Sequence, residues 1–272
     1  MNEYKFTVIL SIYYKTTLDE IKRALLSLKN QKLKPNEIII VFDGPCSLRV
    51  IFYVKFFLKI FFPDKFIILK NKFNQGIAIS YNLAIKHSKY NLIAIQDSDD
   101  ISLPNRFLLQ IRTFIKNKKI SVLGGYILEK SLYNSFLKKV PTDFLSIKKK
   151  IFFKNPINHP TVMFKKNQLK KVNFYSHCER MEDYHLWIRL ISKNIIINNI
   201  PHVLVSSIIN DQFLKRRSSL NILFSELKIQ FLLMTKFRIY IPAFFLIFPI
   251  KILYHLTPKN IKSFIRPLIN SF

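Results

Sequence analysis

The sequence predicts an α/β fold with a mostly parallel sheet flanked by helices. Short apolar runs alternate along the chain with longer segments whose apolar residues recur at helical spacing. The connections between these segments are short, as in sheets built from strand–helix–strand units. With 272 residues, of which 49% are hydrophobic, the chain is long and apolar enough to bury a full core.

Apolar runs predict five strands. The first of them, FTVILSIY, has no polar alternation, which favours a strand covered on both faces of a parallel sheet. The predicted strands are residues 6–13, 37–42, 66–69, 92–95 and 121–129.

Helices are predicted between and after these strands. Thr17 can cap the first helix, whose opening turn carries Asp19 and Glu20. Ser102 can cap a later helix that has Pro104 in its first turn. The predicted helices are residues 18–31, 51–62, 74–87, 104–117 and 182–192, and helical spacing continues beyond about residue 212.

Polar residues stand at the carboxyl ends of three predicted strands. Ser11–Tyr13 follows the first strand, Asp43 the second, and Asp97–Asp100 the fourth. Ligands of open parallel sheets bind at this edge. We therefore expect the three groups to converge on one rim.

Signatures that are missing narrow the function. With four glycines the chain has neither G-x-G-x-x-G nor a Walker loop, which disfavours a dinucleotide dehydrogenase and a P-loop NTPase. The two cysteines, Cys46 and Cys178, are far apart and predict small core residues in a reduced, cytosolic compartment. The first residues do not have the pattern of a signal peptide.

The charge is strongly positive but unevenly distributed. Lys and Arg number 44 against 16 acids, for a formal charge of +28, which favours polyanionic partners such as nucleic acid, anionic lipid or phosphorylated substrates. Six of the 16 acids fall into three tight groups. These groups are Asp43, then Asp97 with Asp99 and Asp100, and finally Glu182 with Asp183.

The segment Asp97-Ser98-Asp99-Asp100 is the first candidate for chemistry. Three carboxylates in four residues repel one another, and a divalent cation would remove that penalty. Carboxylate oxygens suit Mg²⁺ or Mn²⁺, and Mg²⁺ is commonly shared with substrate phosphates. The alternative is a solvated acidic turn that caps a helix.

Three further groups are candidates. Glu182-Asp183 can supply a general base, or can simply offset a helix dipole. His159 before Pro160 is either a site residue or a turn residue. The run Lys215-Arg216-Arg217 can bind phosphates or form a solvated basic face.

Six blocks in order make a specific resemblance. FTVILSIYYK, EIIIVFDGP, NQGIAISYNLAIKH, LIAIQDSDDISLPNRF, NPINHPTVMFKK and EDYHLWIRLI resemble the family 2 nucleotide-sugar glycosyltransferases of the Rossmann-like GT-A fold. The similarity is greatest to bacterial enzymes that assemble capsule, exopolysaccharide and lipopolysaccharide, and it covers about residues 5–217.

The resemblance implies roles for particular residues. Ser11 and Tyr13 would line the nucleotide pocket, and Asp43 would hydrogen-bond a uracil-like base. Asp97 would contact the ribose or help to hold the metal, and Asp99 would bind the metal. Asp183 would be the catalytic base, Glu182 would orient it or the acceptor, Arg216 and Arg217 would face the diphosphate, and Asp100, His159 and Trp187 would line the acceptor side.

The chain departs from the family pattern at three places. Phe42 stands where an acid commonly precedes Asp43, and Ile95 stands where an arginine is common. Ser80-Tyr81 replaces an alanine-arginine pair. No Q-x-x-R-W occurs, so processive synthesis is not indicated.

The predicted function is an inverting, non-processive glycosyltransferase that uses Mg²⁺ or Mn²⁺. Its donor would be a nucleotide-diphosphate sugar, with a UDP-sugar favoured, and its acceptor a surface glycan that is lipid-linked. Two alternatives are a nucleotidyltransferase acting on sugar phosphates and a basic nucleic-acid-binding protein. A nucleotidyltransferase has no evident use for Glu182-Asp183 in a late helix, and a nucleic-acid-binding protein would have its acids in the groove and shows no known binding motif.

The chain is predicted to divide at residue 212. Residues 1–212 would form the catalytic domain and residues 213–272 a helical, basic and apolar tail. No segment supplies about 20 clean apolar residues for a spanning helix, so the tail is expected to hold the enzyme on the cytoplasmic face of an anionic membrane. The alternatives are a buried hairpin that caps the sheet and a dimer contact.

Overall fold

The apolar strands form one nine-stranded sheet in the computed structural model. The structure describes residues 4–131, 134–178, 180–208 and 220–238, together with Ile241 and Pro249. Within these ranges the strands are β1 (Phe6–Ile12), β2 (Glu37–Asp43), β3 (Phe66–Asn71), β4 (Leu92–Asp97), β5 (Asp100–Ser102), β6 (Val122–Lys130), β7 (Ser135–Lys138), β8 (Met163–Lys165) and β9 (Ile197–Ile208).

Helices connect most of these strands. The described α-helices are α1 (Leu18–Lys29), α2 (Leu48–Phe61), α3 (Ile77–His87), α4 (Arg106–Lys116), α5 (Phe144–Lys150), α6 (Lys166–Lys170), α7 (Glu182–Ser192) and α8 (Leu220–Lys236), with a 3₁₀ turn at His159–Thr161.

The sheet has a parallel half and a mixed half. Its order is β3-β2-β1-β4-β8-β6-β9-β5, and β7 pairs with β6. Strands β1 to β4 are parallel to one another, as the apolar runs predict, and β6 is parallel to β9. Strand β8 runs antiparallel between β4 and β6. The predicted α/β fold class is therefore confirmed.

Two apolar cores lie on opposite faces of the sheet. Buried residues of α1, α2 and α4 pack on one face with alternate residues of β1, β2 and β4. Helices α3, α7 and α8 pack on the other face. Strand β2 is buried along its whole length, because both of its faces are covered.

Local sequence patterns predict the cap of one helix correctly and that of another wrongly. Thr17 caps α1 as predicted, and its backbone N–H donates to Glu20 at 2.8 Å in a capping box. The prediction that Ser102 caps α4 is wrong. Asn105 occupies the cap position, while Ser102 lies in β5 and donates its hydroxyl to Gln96 at 2.5 Å.

The described part of the predicted tail packs on one face of the sheet. Ile229 and Leu233 of α8 are fully buried in the core that contains α7. Arg216 and Arg217, with most of the tail beyond α8, lie outside the described residues. Among the described helices, none combines the length and apolar character needed to cross a membrane.

The capping box of α1 gives a stability prediction. Thr17→Ala removes the side-chain acceptor for the Glu20 backbone N–H, so we expect a loss of about 1 kcal/mol in the free energy of unfolding. Ser47→Ala is the control, because Ser47 precedes α2 without a side-chain cap bond. Urea unfolding measures both, and equal losses would contradict a specific role for the box.

Candidate active site

The carboxyl ends of the parallel strands meet at one edge, as predicted. Strand β1 lies between β2 and β4, where the order of connections reverses, and this is where open α/β sheets bind ligands. Ser11 of β1 lies opposite Asp97 of β4 in the strand register. Asp43 ends β2 opposite Asn71 of β3.

The Asp43 carboxylate joins two loops at this edge. It accepts hydrogen bonds from the Asn71 amide at 2.8 Å and from the backbone N–H groups of Gln75 at 2.9 Å and Gly76 at 3.0 Å. Gly44 has φ +87°, and a Cβ there would lie 2.6 Å from a backbone nitrogen of the second loop. A glycine is therefore required for this close approach.

The acid turn follows β4 directly. Asp97 and Asp99 are half-buried, while Asp100 is buried. The Tyr81 hydroxyl donates to the Asp97 carboxylate at 2.6 Å. The Gln96 amide donates at 2.9 Å to the carbonyl oxygens of both Asp97 and Asp100. One side chain therefore holds the backbone of the turn in place.

A buried arginine lies beneath the acid turn. The guanidinium of Arg106 is fully buried and donates to the carbonyl oxygen of Ile95 at 2.6 Å and to the hydroxyl of Ser102 at 2.8 Å. A longer bond of 3.4 Å reaches the carbonyl oxygen of Val162. One side chain thus connects β4, β5 and the start of β8.

Charge explains why the arginine and the acids are found together. Burial raises the pKa of Asp100 well above its usual range, and the negative charges of Asp97 and Asp99 raise it further. A hydrogen bond with Ser207 and the charge of Arg106 act in the opposite direction. Burial lowers the pKa of Arg106 to about 9, although Asp97 and Asp100 favour its charged form. The buried cation therefore offsets part of the repulsion within the turn.

An aromatic cluster connects the acid turn to α7. It consists of Tyr81, His159, Tyr175 and Trp187. The Tyr81 ring lies 5.6 Å from the His159 ring and 5.7 Å from the Tyr175 ring. A hydrogen bond of 3.0 Å joins the His159 Nε2 and the Tyr175 hydroxyl, and the Trp187 ring lies 6.3 Å from His159.

Both acid groups lie near enough to Tyr175 to affect its ionisation. Burial raises the pKa of its phenol well above the usual value, and the charges of Asp183, Asp97 and Glu182 raise it further. Asp97 ends β4, whereas Glu182 and Asp183 begin α7. Acids far apart in the sequence therefore converge in the fold.

The first turn of α7 presents its two acids differently. The Asn155 amide donates to the Asp183 carboxylate at 2.6 Å and fixes its orientation. Burial raises the pKa of Glu182, and the charge of Asp183 raises it further. Both side chains remain partly exposed, so both are accessible to a substrate.

The acid turn fits a cation that is shared with phosphates. Within the described ranges, no three His, Cys, Asp or Glu side chains are grouped so as to hold a metal ion by themselves. Mg²⁺ does not need such a cage, because it is commonly held by one or two carboxylates plus substrate phosphates. Asp97 and Asp99 are the partly exposed carboxylates of the turn and match that requirement.

The structure separates the predicted lining residues into two groups. Ser11, Tyr13 and His159 are partly exposed, as expected of residues that line a pocket. Asp100 and Trp187 are buried, at 3% and 0% exposure, and so support the site from beneath without presenting a surface to a ligand.

Four structural contributors were not among the predicted site residues. Asn155 lies within the NPINHP block and Arg106 within SLPNRF, but the motifs by themselves indicate no role for either residue. Tyr81 belongs to a pair that departs from the family pattern, and the sequence indicates no role for it. Tyr175 lies in a segment with no motif.

The chain belongs to a known family of enzymes. The sequence profile of Glycosyl transferase family 2 matches residues 7–178, which is more than half of the chain and includes β1 to β8. The protein is therefore a glycosyltransferase, which confirms the class of enzyme that the six blocks indicated.

Curated relatives cover most of the chain. The amylovoran biosynthesis glycosyltransferase AmsE of Erwinia amylovora is 29% identical over 82% of this chain and 84% of its own length. A UDP-Gal:alpha-D-GlcNAc-diphosphoundecaprenol beta-1,3-galactosyltransferase of Escherichia coli is 29% identical over 84% of this chain and 82% of its own.

Solved structures share the fold. The crystal structure of S. aureus TarS 1–349 superposes with a TM-score of 0.64 at 17% identity, covering 85% of this chain and 66% of that one. The mannosyltransferase PcManGT from Pyrobaculum calidifontis, in complex with GDP-Man and Mn²⁺, has a TM-score of 0.60 at 16% identity, covering 79% and 61%. These likenesses confirm the GT-A type of sheet.

The buried arginine gives a second stability prediction. Arg106→Met would leave the carbonyl oxygen of Ile95 and the hydroxyl of Ser102 without their guanidinium donor, so we expect unfolding to become easier by about 1–3 kcal/mol. Arg112→Met is the control, since Arg112 is exposed on the same helix and should change stability by less than about 0.5 kcal/mol. Chemical denaturation compares the two. A loss below about 1 kcal/mol in Arg106→Met would show that other donors replace the guanidinium.

Proposed function

We propose that this glycosyltransferase is an inverting, non-processive enzyme that transfers a sugar from a nucleotide-diphosphate donor to a surface glycan. One observation carries the proposal: the acid turn after β4 and the acid pair of α7 lie around the same aromatic cluster. The acid turn suits the binding of the donor's diphosphate through a cation. The acid pair of α7 suits the activation of the acceptor hydroxyl.

The donor would bind at the carboxyl ends of β1, β2 and β4. Ser11 and Tyr13 would line the nucleotide pocket. Asp43 is only 3% exposed, so it would hold the loop of Gln75 and Gly76 beneath a base of uracil type. Two further TarS structures are complexes with UDP and with UDP-GlcNAc, which supports a UDP-sugar. Arg216 and Arg217 would face the diphosphate from the chain beyond β9.

The acid turn would hold the divalent cation. Asp99 would be its main ligand, with Asp97 beside it, and Mg²⁺ or Mn²⁺ there would neutralise the diphosphate leaving group. Tyr81 already donates to Asp97, which leaves one carboxylate oxygen of that residue for the cation or the ribose.

The acceptor would bind next to α7. Asp183 would accept the proton of the acceptor hydroxyl while the hydroxyl oxygen attacks C1 of the sugar from the face opposite the diphosphate. The bond from C1 to the leaving diphosphate oxygen breaks in the same step, so the configuration at C1 inverts. Asn155 holds the Asp183 carboxylate, and Glu182 and His159 would orient the base or the acceptor.

The names of relatives support one class of acceptor. The E. coli relative is named for a diphosphoundecaprenol acceptor, and AmsE is named for amylovoran biosynthesis. We therefore propose a lipid-linked acceptor, with the enzyme on the cytoplasmic face of the membrane and residues 213–272 contributing to attachment. That stretch carries ten basic residues and one acid, which favours an anionic lipid surface.

A donor screen tests the proposal. Nucleotide release from UDP-, GDP- and dTDP-sugars should require Mg²⁺ or Mn²⁺ and stop in excess EDTA, because the leaving group needs the cation. Asp99→Asn should lower turnover by orders of magnitude without unfolding the chain. Asp64→Asn is the control, since Asp64 is exposed and precedes β3 at the opposite edge of the sheet. Full turnover in EDTA would refute the metal assignment.

A second variant separates the base from the donor site. Asp183→Asn should bind the nucleotide with unchanged affinity yet transfer sugar about 10²–10⁴-fold more slowly, because the base acts on the acceptor. Calorimetry measures nucleotide affinity, and product formation measures transfer. Asp19→Asn is the control, since Asp19 is exposed on α1. Lost nucleotide affinity with unchanged turnover would assign Asp183 to the donor site instead.

A further inference from the structure

Helix α2 exposes a row of large apolar side chains. Leu48, Phe52, Phe56 and Ile60 are 68%, 67%, 66% and 50% exposed, and we refer to these four residues as the α2 ridge. They are spaced four residues apart, so they form one continuous stripe along the helix. The opposite side of α2 is buried in the core. The ridge is therefore an outward surface and not part of the hydrophobic core.

Basic side chains border the ridge. Arg49, Lys55 and Lys59 are all exposed, and helical spacing places them on the same outward side as the four apolar residues. The helix sequence LRVIFYVKFFLKIF contains no acid. The outward side of α2 thus combines apolar groups with charge of one sign.

This combination fits the surface of an anionic membrane. An interfacial helix buries its apolar side chains at the boundary of headgroups and acyl chains while its Lys and Arg residues contact anionic lipids. Long basic side chains reach the headgroups from a helix lying at that depth. Phenylalanines with two thirds of their surface exposed project outward and suit insertion better than the reception of a partner's side chain.

Charge disfavours two other occupants. A two-fold contact with a second copy would place the same patch on both sides, so Arg49, Lys55 and Lys59 would face the same basic residues. The chain's own segment 239–272 carries four basic residues and no acid, so it would be repelled as well. An anionic surface has the complementary sign.

The ridge begins near the edge of the sheet that carries the proposed active site. Leu48, its first residue, is five positions after Asp43, which ends β2 at the site edge. Helices α2 and α8 pack on opposite faces of the sheet, so the ridge is separate from the described part of the tail. A membrane against α2 would hold the enzyme at the surface that carries a lipid-linked acceptor.

We propose that the α2 ridge, with Arg49, Lys55 and Lys59, docks the enzyme on an anionic lipid surface. The biological purpose of this contact rests on the proposed lipid-linked acceptor, whereas the contact itself rests on the exposure and charge of α2.

Vesicle binding by the full-length chain tests the proposal. Phe52→Gln/Phe56→Gln should weaken co-sedimentation with vesicles of phosphatidylglycerol and phosphatidylcholine by at least about tenfold, because two large apolar groups no longer insert. Phe136→Gln/Leu145→Gln is the matched control, since these residues are 59% and 69% exposed elsewhere on the surface. Lys55→Gln/Lys59→Gln should also weaken binding by about tenfold, and high salt should remove this difference.

Several results would overturn the proposal. These are unchanged binding in the Phe52→Gln/Phe56→Gln chain, an equal loss in the control, or equally strong binding to phosphatidylcholine alone. A dimer that the double variant abolishes, without vesicle binding by the wild type, would assign the ridge to a second copy. Loss of binding only in a chain with Lys251→Gln, Lys259→Gln, Lys262→Gln and Arg266→Gln would assign attachment to the tail.

The vesicle experiment is independent of the proposed reaction. Donor turnover measured by nucleotide release without vesicles should be the same in the ridge variants and the wild type, because the ridge lies outside the site. If the wild type released no nucleotide from any donor but bound vesicles through α2, the proposed donor chemistry would fail and the docking surface would stand.

Discussion

The buried guanidinium of Arg106 is the interaction on which the site depends. Three carboxylates in four residues repel one another, and one of them, Asp100, is withdrawn from water. Arg106 offers a positive charge from beneath and donates to the carbonyl oxygen of Ile95 at the end of β4. Removing Arg106 would leave the carbonyl oxygen of Ile95 and the hydroxyl of Ser102 without their donor. The turn can therefore keep its acids in place before any cation binds.

Aromatic side chains connect the acid turn above Arg106 to the rest of the site. Tyr81 reaches from α3 to Asp97, and the cluster continues through His159 and Tyr175 towards the start of α7. Rings have few rotatable bonds, so they set the separation between the acid turn and the acids of α7 at a small entropic cost. The site is built on strand ends and a helix start, which are rigid elements. Positioning of this kind is what a transfer between two bound substrates requires.

The two faces of the sheet have different outer surfaces. On one face, α8 extends the core with Ile229 and Leu233, so the start of the predicted tail is part of the folded domain. On the other, α2 completes the core with its inner side and leaves its outer side apolar and basic. The large positive charge of the chain is therefore not a uniform field. Six of the 16 acids lie in the three groups at the proposed site, whereas helix α2 carries bases and no acid.

The sequence by itself determined most of the fold. Apolar runs placed β1 to β4, helical spacing placed their helices, and Thr17 was recognised as a cap because capping depends on residues three apart. It also placed the acids at the ends of elements. Only the tertiary structure decided what holds those acids. Ser102 resembled a cap, but its hydroxyl bonds to Gln96. Asn155, which holds Asp183, lies 28 positions before it in the sequence. The side chain of Arg106 is turned into the core. Contacts of this kind depend on how distant segments pack, and no local pattern encodes that packing.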